Sequence, residues 1–252
     1  MSVEGIILVD KPLGWSSFDV VAKIRGALRA EIRKQQLETS NLKLENSGRA
    51  QITNSQLLIP KIKVGHTGTL DPLATGLMIV VVGSYCKRAS EFSKLDKTYE
   101  VQMKLGETST TGDEEGEKLE VRSWKLEVSE IEQALKSFLG ESMQTPPAFS
   151  AIKIDGKRAY KLAREGKEVV IEPRKITITD IKLDKYDFPL VNFTVAVSSG
   201  TYIRSLVEDI GKNLGTGAYI TFLRRTKVAD FDIKDAVKVE DVNVTSLLAY
   251  VQ

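Results

Sequence analysis

Apolar and polar residues alternate strictly in two segments of this chain, and this alternation constrains the fold more than any other feature of the sequence. The apolar members are Tyr99, Val101, Met103 and Leu105 in the first segment, and Val191, Phe193, Val195 and Val197 in the second. Successive side chains of a β-strand point to opposite faces, so each segment is predicted to be a strand with one buried face. Such alternation is typical of antiparallel sheets that carry solvent on one side.

The other predicted elements do not follow a repeated strand–helix–strand order. Further strands are predicted at residues 5–10, 77–82 and 175–184. Helices are predicted after a cap at Ser16 or Ser17, after a capping box of Ser129 and Glu132, near residues 157–165, and after Thr201. The first helix is expected to bury Phe18, Val21, Ile24, Leu28 and Ile32. Strands outnumber helices and several are hairpin-linked, which favours the α+β class with a mixed, largely antiparallel sheet flanked by helices.

Residues 34–60 differ in character from the rest of the chain. They are rich in Gln, Asn, Ser and Thr, and their leucines follow no sustained period. Such composition indicates a flexible insertion rather than a separate domain. We therefore expect a single domain over residues 1–252, with a short C-terminal tail at 233–252 that forms a strand and a short helix.

Composition excludes several classes of protein. The chain has one cysteine and one histidine, which are too few for an internal disulfide, a multi-thiolate zinc site or a two-histidine metal site. The longest apolar run, Leu77 to Val82, is far shorter than the roughly 20 residues that cross a bilayer. The apolar residues 6–9 lack the basic flank of a signal peptide. These features predict a cytoplasmic, metal-free protein that does not enter a membrane.

The densest candidate for a functional segment is GHTGTLDPLATG at residues 65–76, in which Asp71 precedes Pro72. In one interpretation Asp71 is a helix N-cap, with Pro72 at the first helical position. In a second, residues 65–68 form a GxxG loop that clamps RNA backbone, although a lone GxxG is a weak signal. A phosphate-binding P-loop is excluded because no lysine follows the last glycine.

Arg204 is the second candidate for a functional residue. It lies in the first turn of a predicted helix, where a positive charge is unfavourable because it opposes the helix dipole. It is either exposed and paired with Glu208, or it pairs with a carboxylate elsewhere in the fold. Basic residues also cluster: residues 151–175 hold twice as many Lys and Arg as Asp and Glu side chains, and Arg224 and Arg225 are adjacent. Such clusters are either solvated faces or contacts to nucleic acid phosphates.

Taken together, these segments resemble the bacterial TruB-type tRNA pseudouridine synthases. The matching segments are, in the family's order, Asp10-Lys-Pro-x-Gly-x-Ser-Ser17, residues 65–76, Lys97-Thr-Tyr-Glu100, Pro146-Pro-Ala-Phe-Ser-Ala-Ile-Lys153, Ser199-Gly-Thr-Tyr-Ile-Arg204 and Leu223-Arg-Arg-Thr226. They span most of the chain. The resemblance implies a pseudouridine-synthase-like catalytic fold with a central RNA-binding cleft, which isomerises uridine at position 55 in the T loop of tRNA.

The resemblance also implies roles for individual residues. Asp71 would be the catalytic residue, Tyr99 would stack on the extruded uracil, and Arg204 would pair with the catalytic carboxylate. Tyr202 and Leu223 would line the base pocket. The remaining implied contacts are His66, which would displace the target from its loop, and Lys153, Arg224 and Arg225, which would contact phosphates. No cofactor or metal is implied, the expected partner is the T arm of tRNA, and no obligate protein partner is expected.

The sequence departs from the family pattern in three places. Residues 34–60 replace a short connector, and the chain ends at Gln252, too soon after Thr226 for the RNA-binding domain of the PUA type that many relatives carry. The loop Ser109–Asp113 lacks one acid of the family's Thr-Asp-Thr-x-Asp pattern. Two alternatives stay open: the guide-dependent branch of the same family, and an RNA-binding or folding module whose catalysis is secondary or lost.

Overall fold

The computed structural model describes residues 3–45, 61–121, 124–150, 152–154, 156–167 and 169–247. The helices are α1 (Ser17–Glu45), α2 (Ala89–Ser93), α3 (Val128–Lys136), α4 (Ala159–Arg164) and α5 (Ile203–Asn213). The strands are β1 (Gly5–Lys11), β2 (Val64–His66), β3 (Ala74–Val82), β4 (Lys97–Leu105), β5 (Glu107–Ser109), β6 (Lys118–Glu120), β7 (Gly140–Gln144), β8 (Lys153–Ile154), β9 (Lys157–Arg158), β10 (Arg174–Asp187), β11 (Leu190–Val197), β12 (Ala218–Val228), β13 (Phe231–Asp232) and β14 (Val237–Lys238). The chain divides into a first unit, residues 1–93 with 230–252, and a second unit, residues 94–229.

In the first unit, β1 lies between β3, with which it is antiparallel, and β14, with which it is parallel. Strand β2 pairs antiparallel with β3 and is contacted by α1. Helix α1 buries Val20, Val21, Ile24 and Leu28, but Phe18 is 67% exposed, so the predicted burial of Phe18 is wrong. At about 100° per residue, Phe18 lies roughly a quarter turn from the centre of this stripe, and Val20 takes its place on the buried face.

Helix α1 is longer than the sequence predicted, because it continues to Glu45. The segment from residue 34 to residue 45 is therefore helical rather than irregular, and residues 46–60 of the predicted insertion lie outside the described residues. The described part of the C-terminal tail, residues 233–247, contains the predicted strand as β14. It also contains the 3₁₀ helices Ile233–Asp235, Val239–Asp241 and Val244–Ser246. The single domain over residues 1–252 stays a prediction.

The second unit contains an antiparallel sheet with the strand order β12-β4-β11-β10-β7. The two alternating segments are its strands β4 and β11, and their predicted inward residues are all buried. Helix α5 packs against β12, and a side chain at Gly211 would collide with the backbone of Gly217 and Ala218. The predicted mixed α+β fold with a largely antiparallel sheet is confirmed.

The start of α3 corrects a local prediction. The helix begins at Val128, and its capping box joins Glu127 and Glu130 rather than Ser129 and Glu132. Both pairs have the three-residue spacing of a capping box, so spacing alone did not distinguish them. In the described ranges, the helices are all too short or too polar to cross a membrane.

Candidate active site

The residues after Asp71 form a turn and then strand β3, not a helix. The Ala74 N–H donates to the Asp71 carbonyl oxygen over 3.0 Å, and β3 begins at Ala74. The interpretation of Asp71 as a helix cap is therefore wrong. Asp71 is half-buried in the loop between β2 and β3. Its carboxylate therefore does not cap a helix.

A buried lysine fixes the turn that follows β1 against the Asp71 loop. Lys11 is 0% exposed, and its Nζ donates to the carbonyl oxygens of Pro12 at 3.0 Å, Trp15 at 2.6 Å and Pro72 at 3.5 Å. The Gly14 N–H also donates to the Pro72 oxygen at 2.8 Å, from a backbone with φ of 80° that favours glycine. The residue that follows Asp71 is thus held from two sides.

The residue that precedes Asp71 is held in the same way. The Leu70 N–H donates to Ser17 Oγ at 2.8 Å, and that hydroxyl donates to the Leu70 carbonyl at 3.0 Å. Ser17 is buried, whereas Ser16 supplies the helix cap through reciprocal bonds with Asp19. Because both neighbours of Asp71 are fixed by residues 11–17, the backbone at Asp71 is held rigidly in place.

His66 lies at the end of β2, opposite Val80 of β3. It is half-buried and belongs to the first unit, as Asp71 does. The Thr67 N–H and Oγ1 both donate to the Ile79 carbonyl oxygen, at 3.1 and 3.2 Å. The segment that follows His66 is therefore tied to β3 before the chain reaches Asp71.

Arg204, in the second unit, is buried rather than exposed. It is 6% exposed, and its Nη1 and Nη2 donate to the carbonyl oxygens of Thr111 at 3.0 Å and Phe149 at 2.8 Å. Its Nη1 also lies 3.8 Å from Asp113 Oδ2. The interpretation of Arg204 as an exposed partner of Glu208 is therefore wrong. The guanidinium is held by acceptors from two loops.

Asp113 is a residue that the sequence reasoning missed. It is 4% exposed, and its Oδ1 accepts hydrogen bonds from Thr111 Oγ1 and from the Glu115 N–H. Its loop is anchored to β12, since the Ile220 N–H donates to the Gly112 carbonyl at 3.1 Å. In the sequence, Asp113 is one of several acidic residues in a loop whose composition is typical of a solvent-exposed loop. Its match to the last acid of the family pattern was the one signal that could have distinguished it.

Tyr99 and Leu223 lie on the same face of the second unit's sheet. In the register of β4 and β12, Arg225 lies opposite Tyr99 and Leu223 opposite Val101. Directly paired residues share a face, and so do residues two apart along a strand, so Tyr99 and Leu223 are diagonal neighbours. Tyr99 is 8% exposed and Leu223 is 6% exposed. A small part of each side chain therefore remains on the surface.

This register also corrects the expectation for Arg225. It shares the buried face with Tyr99 and is 2% exposed, so it does not fit the predicted phosphate contact. Arg224 projects from the opposite face, across from Glu100, and is half-buried. Lys153 is exposed in the hairpin of β8 and β9. Tyr202 is half-buried at the N-cap position of α5.

The buried Lys97 at the start of β4 has a lowered pKa. Its Nζ donates to the Leu95 carbonyl. Burial, and then the positive charge of Arg225, lower the pKa of Lys97 to about 8, against a partial opposing effect of Asp96. Between about pH 8 and 10.5 the unfolded chain therefore binds more protons at this position than the folded protein does. The contribution of Lys97 to the free energy of unfolding must therefore rise with pH over that range.

This pH dependence can be measured with Lys97→Met. We expect the free energy of unfolding of the wild type to rise relative to that of the variant between pH 8 and 10, by at most about 1.4 kcal/mol per pH unit. Urea unfolding at several pH values gives both curves. Lys94→Met, which changes an exposed lysine nearby, is the matched control and should run parallel to the wild type. If the free energies of unfolding of the wild type and Lys97→Met change in parallel with pH, Lys97 does not have a lowered pKa.

Two protein-family models match this chain. A model described as TruB family pseudouridylate synthase (N terminal domain) matches residues 55–203, and one described as tRNA pseudouridylate synthase B C-terminal domain matches residues 204–250. A Parabacteroides distasonis protein named tRNA pseudouridine synthase B is 39% identical over 239 residues, which cover 94% of this chain and 91% of the relative. The chain belongs to the TruB family. The predicted family and the predicted enzyme class, an isomerase, are thus confirmed.

Further relatives agree. A tRNA pseudouridine synthase B from Pseudomonas fluorescens is 40% identical over 241 residues, which cover 96% of this chain and 69% of that protein. Among solved structures, a chain of a Cbf5-Nop10-Gar1 complex superposes with a TM-score of 0.66 and 27% identity, covering 97% of this chain and 55% of that one. This chain therefore spans about half the length of that structural relative.

Proposed function

We propose that this TruB family member isomerises uridine to pseudouridine at position 55, in the T loop of tRNA, with Asp71 as the catalytic residue. The observation that carries the proposal is the fixed loop at Asp71, held through Leu70 and Pro72 by residues 11–17. A catalytic carboxylate must be held near a productive geometry, and a rigid supporting shell does this. Relatives named tRNA pseudouridine synthase B at about 40% identity support the choice of substrate.

The reaction needs no external electron or group donor. The bond between N1 of uracil and C1′ of the ribose breaks, the base rotates, and a bond forms between C5 and C1′. C5 loses a proton and N1 carries one in the product, so atoms and charge balance. Asp71 drives the cleavage, and its attack requires the ionised carboxylate. Arg204, a buried cation, is the residue that we propose as the partner of this carboxylate.

The target base must leave its stack, which costs a few kcal/mol. Tyr99 receives the extruded uracil by stacking, an interaction worth about 1–3 kcal/mol per base. Leu223, on the same sheet face as Tyr99, and Tyr202 line the pocket, and His66 displaces the base from its loop. Exposed Lys153 and half-buried Arg224 contact phosphates. The partner is the T arm of tRNA, and the reaction takes place in the cytoplasm without an obligate protein partner.

The proposal is tested with purified protein and two tRNA transcripts, one of wild-type sequence and one with uridine 55 changed to cytidine. Carbodiimide adduct mapping should locate one new pseudouridine, at position 55, in the first transcript and none in the second. An isolated T-arm hairpin should also be converted. Tight binding without conversion would favour the alternative of an RNA-binding module, and pseudouridine at another position would contradict the proposed site.

A further inference from the structure

Tyr202 is held by a buried side chain that has no role in the function proposed above. Gln144, the last residue of β7, is 3% exposed. Its Nε2 donates to the Tyr202 carbonyl oxygen over 3.0 Å, and the Tyr202 N–H donates to its Oε1 over 2.8 Å. One amide side chain therefore pairs with both backbone polar groups of Tyr202, whose carbonyl oxygen also accepts the Leu206 N–H of α5 at 3.1 Å.

A second side chain of the same strand pair lies on the Tyr202 ring. Arg174 begins β10 directly opposite Gln144, and its guanidinium carbon lies 4.8 Å from the centroid of the Tyr202 ring. The Nε and Nη2 atoms of Arg174 are buried without a hydrogen-bond acceptor among the described residues. The guanidinium of Arg174 therefore makes a cation–π contact with the Tyr202 ring.

This arrangement is not explained by stability. A buried N–H without an acceptor is costly, and a cation–π contact returns at most a similar amount. Stability alone would favour an arginine that turned its N–H groups to acceptors or to solvent. An aromatic ring that must stand in one place beside a reacting base gives a reason for the arrangement.

We propose that Gln144 and Arg174 are positioning residues that hold Tyr202 for the reaction, Gln144 through its backbone and Arg174 through its ring. This inference rests on the pocket role proposed for Tyr202. Misplacing a pocket group by about 1 Å can slow a reaction by about 10²-fold. The two residues should therefore affect the rate of conversion, and they should act only through Tyr202.

The first test compares single-turnover conversion rates and dissociation constants on a tRNA transcript. Gln144→Leu and Arg174→Met should each convert the RNA about 10- to 100-fold more slowly than the wild type. The dissociation constant should stay within about twofold. Arg174→Lys, which keeps the cation but not the flat guanidinium, should recover part of the lost rate. The matched control is Lys175→Met, which removes the exposed charge one residue along β10.

The second test asks whether the two residues act through Tyr202. In a Tyr202→Ala background, Gln144→Leu and Arg174→Met should cause little further loss of rate, since coupled residues are not additive. Full additivity would overturn the proposal. So would an Arg174→Met variant that binds RNA more weakly but converts bound RNA at the wild-type rate. If Gln144→Leu does not fold, the Arg174 variants decide.

A third measurement does not depend on activity, so it separates failure of this inference from failure of the proposed function. In protein labelled with 3-fluorotyrosine, the Tyr202 fluorine signal is the one that Tyr202→Phe removes. It should be a single narrow line in the wild type, and it should broaden or split in Gln144→Leu and Arg174→Met but not in Lys175→Met. An unchanged line in both variants would show that Tyr202 does not need these residues to stay in place.

Discussion

Arg204→Met should lower the single-turnover rate of pseudouridine formation by roughly 10²- to 10³-fold, the usual effect of removing one preorganised electrostatic contact from an active site. The arginine is buried and fixed by the Thr111 and Phe149 carbonyl oxygens, so a methionine of similar length fills its volume but removes the charge that the proposed mechanism requires. Arg204→Lys should restore little of the rate, because an ammonium cannot bridge the two carbonyls.

The same change should also reduce stability, because it leaves the buried Asp113 without its cation. Breaking a buried ion pair by removing one partner costs about 3–5 kcal/mol. A second variant, Arg204→Met with Asp113→Asn, separates the two effects. It should recover the stability lost at Asp113 but not that lost at the Thr111 and Phe149 carbonyls, and its activity should not recover. Lys212→Met, which removes an exposed charge from the same helix, is the control. Recovery of activity together with stability would show that Arg204 has only a structural role.

The elements that the sequence predicted best are those whose pattern is local. In β4 and β11 the burial of every second residue follows from the alternation alone. The helical spacing after Thr201 predicts burial of Ile203, Leu206, Ile210 and Leu214, and the first three are buried in α5, whereas Leu214 at its C-cap is half-buried. The sequence also identified Asp71 as a candidate functional residue, because its glycine- and threonine-rich surroundings are unusual. Its neighbours' contacts with Lys11 and Ser17 could not be predicted, because they join distant parts of the chain.

Several of the wrong predictions concern which polar side chains are buried. Arg225 and Arg224 look alike in the sequence, and the register of β12 against β4 decides which one faces inward. Asp113 stands among acidic neighbours, and its burial beside Arg204 depends on a long-range contact that local sequence patterns do not show. Helix α1 continues to Glu45 through residues without an apolar period. A helix can extend in this way when its first turns pack and the rest propagates from them.

The largest expected effect is that of Asp71→Asn, which should make pseudouridine formation undetectable. Asparagine keeps the size and hydrogen-bonding capacity of the side chain but removes the negative charge that the proposed mechanism requires. The fold should persist, because the Asp71 carbonyl rather than its carboxylate accepts the Ala74 N–H in the turn, and because Leu70 and Pro72 are held by other residues. Phosphate contacts and stacking on Tyr99 lie outside the carboxylate, so RNA affinity should change by less than about threefold.

The measurement that tests Asp71 most directly is carbodiimide adduct mapping of a T-arm transcript after prolonged incubation with excess Asp71→Asn protein. Filter retention and a thermal melt of the same sample establish that the variant binds RNA and is folded, and Asp180→Asn, an exposed aspartate on β10, is the matched control. We expect no adduct at position 55 with Asp71→Asn and full conversion with Asp180→Asn. A folded, RNA-bound Asp71→Asn protein that converts the uridine at a rate within about tenfold of the wild type would contradict a catalytic role for Asp71.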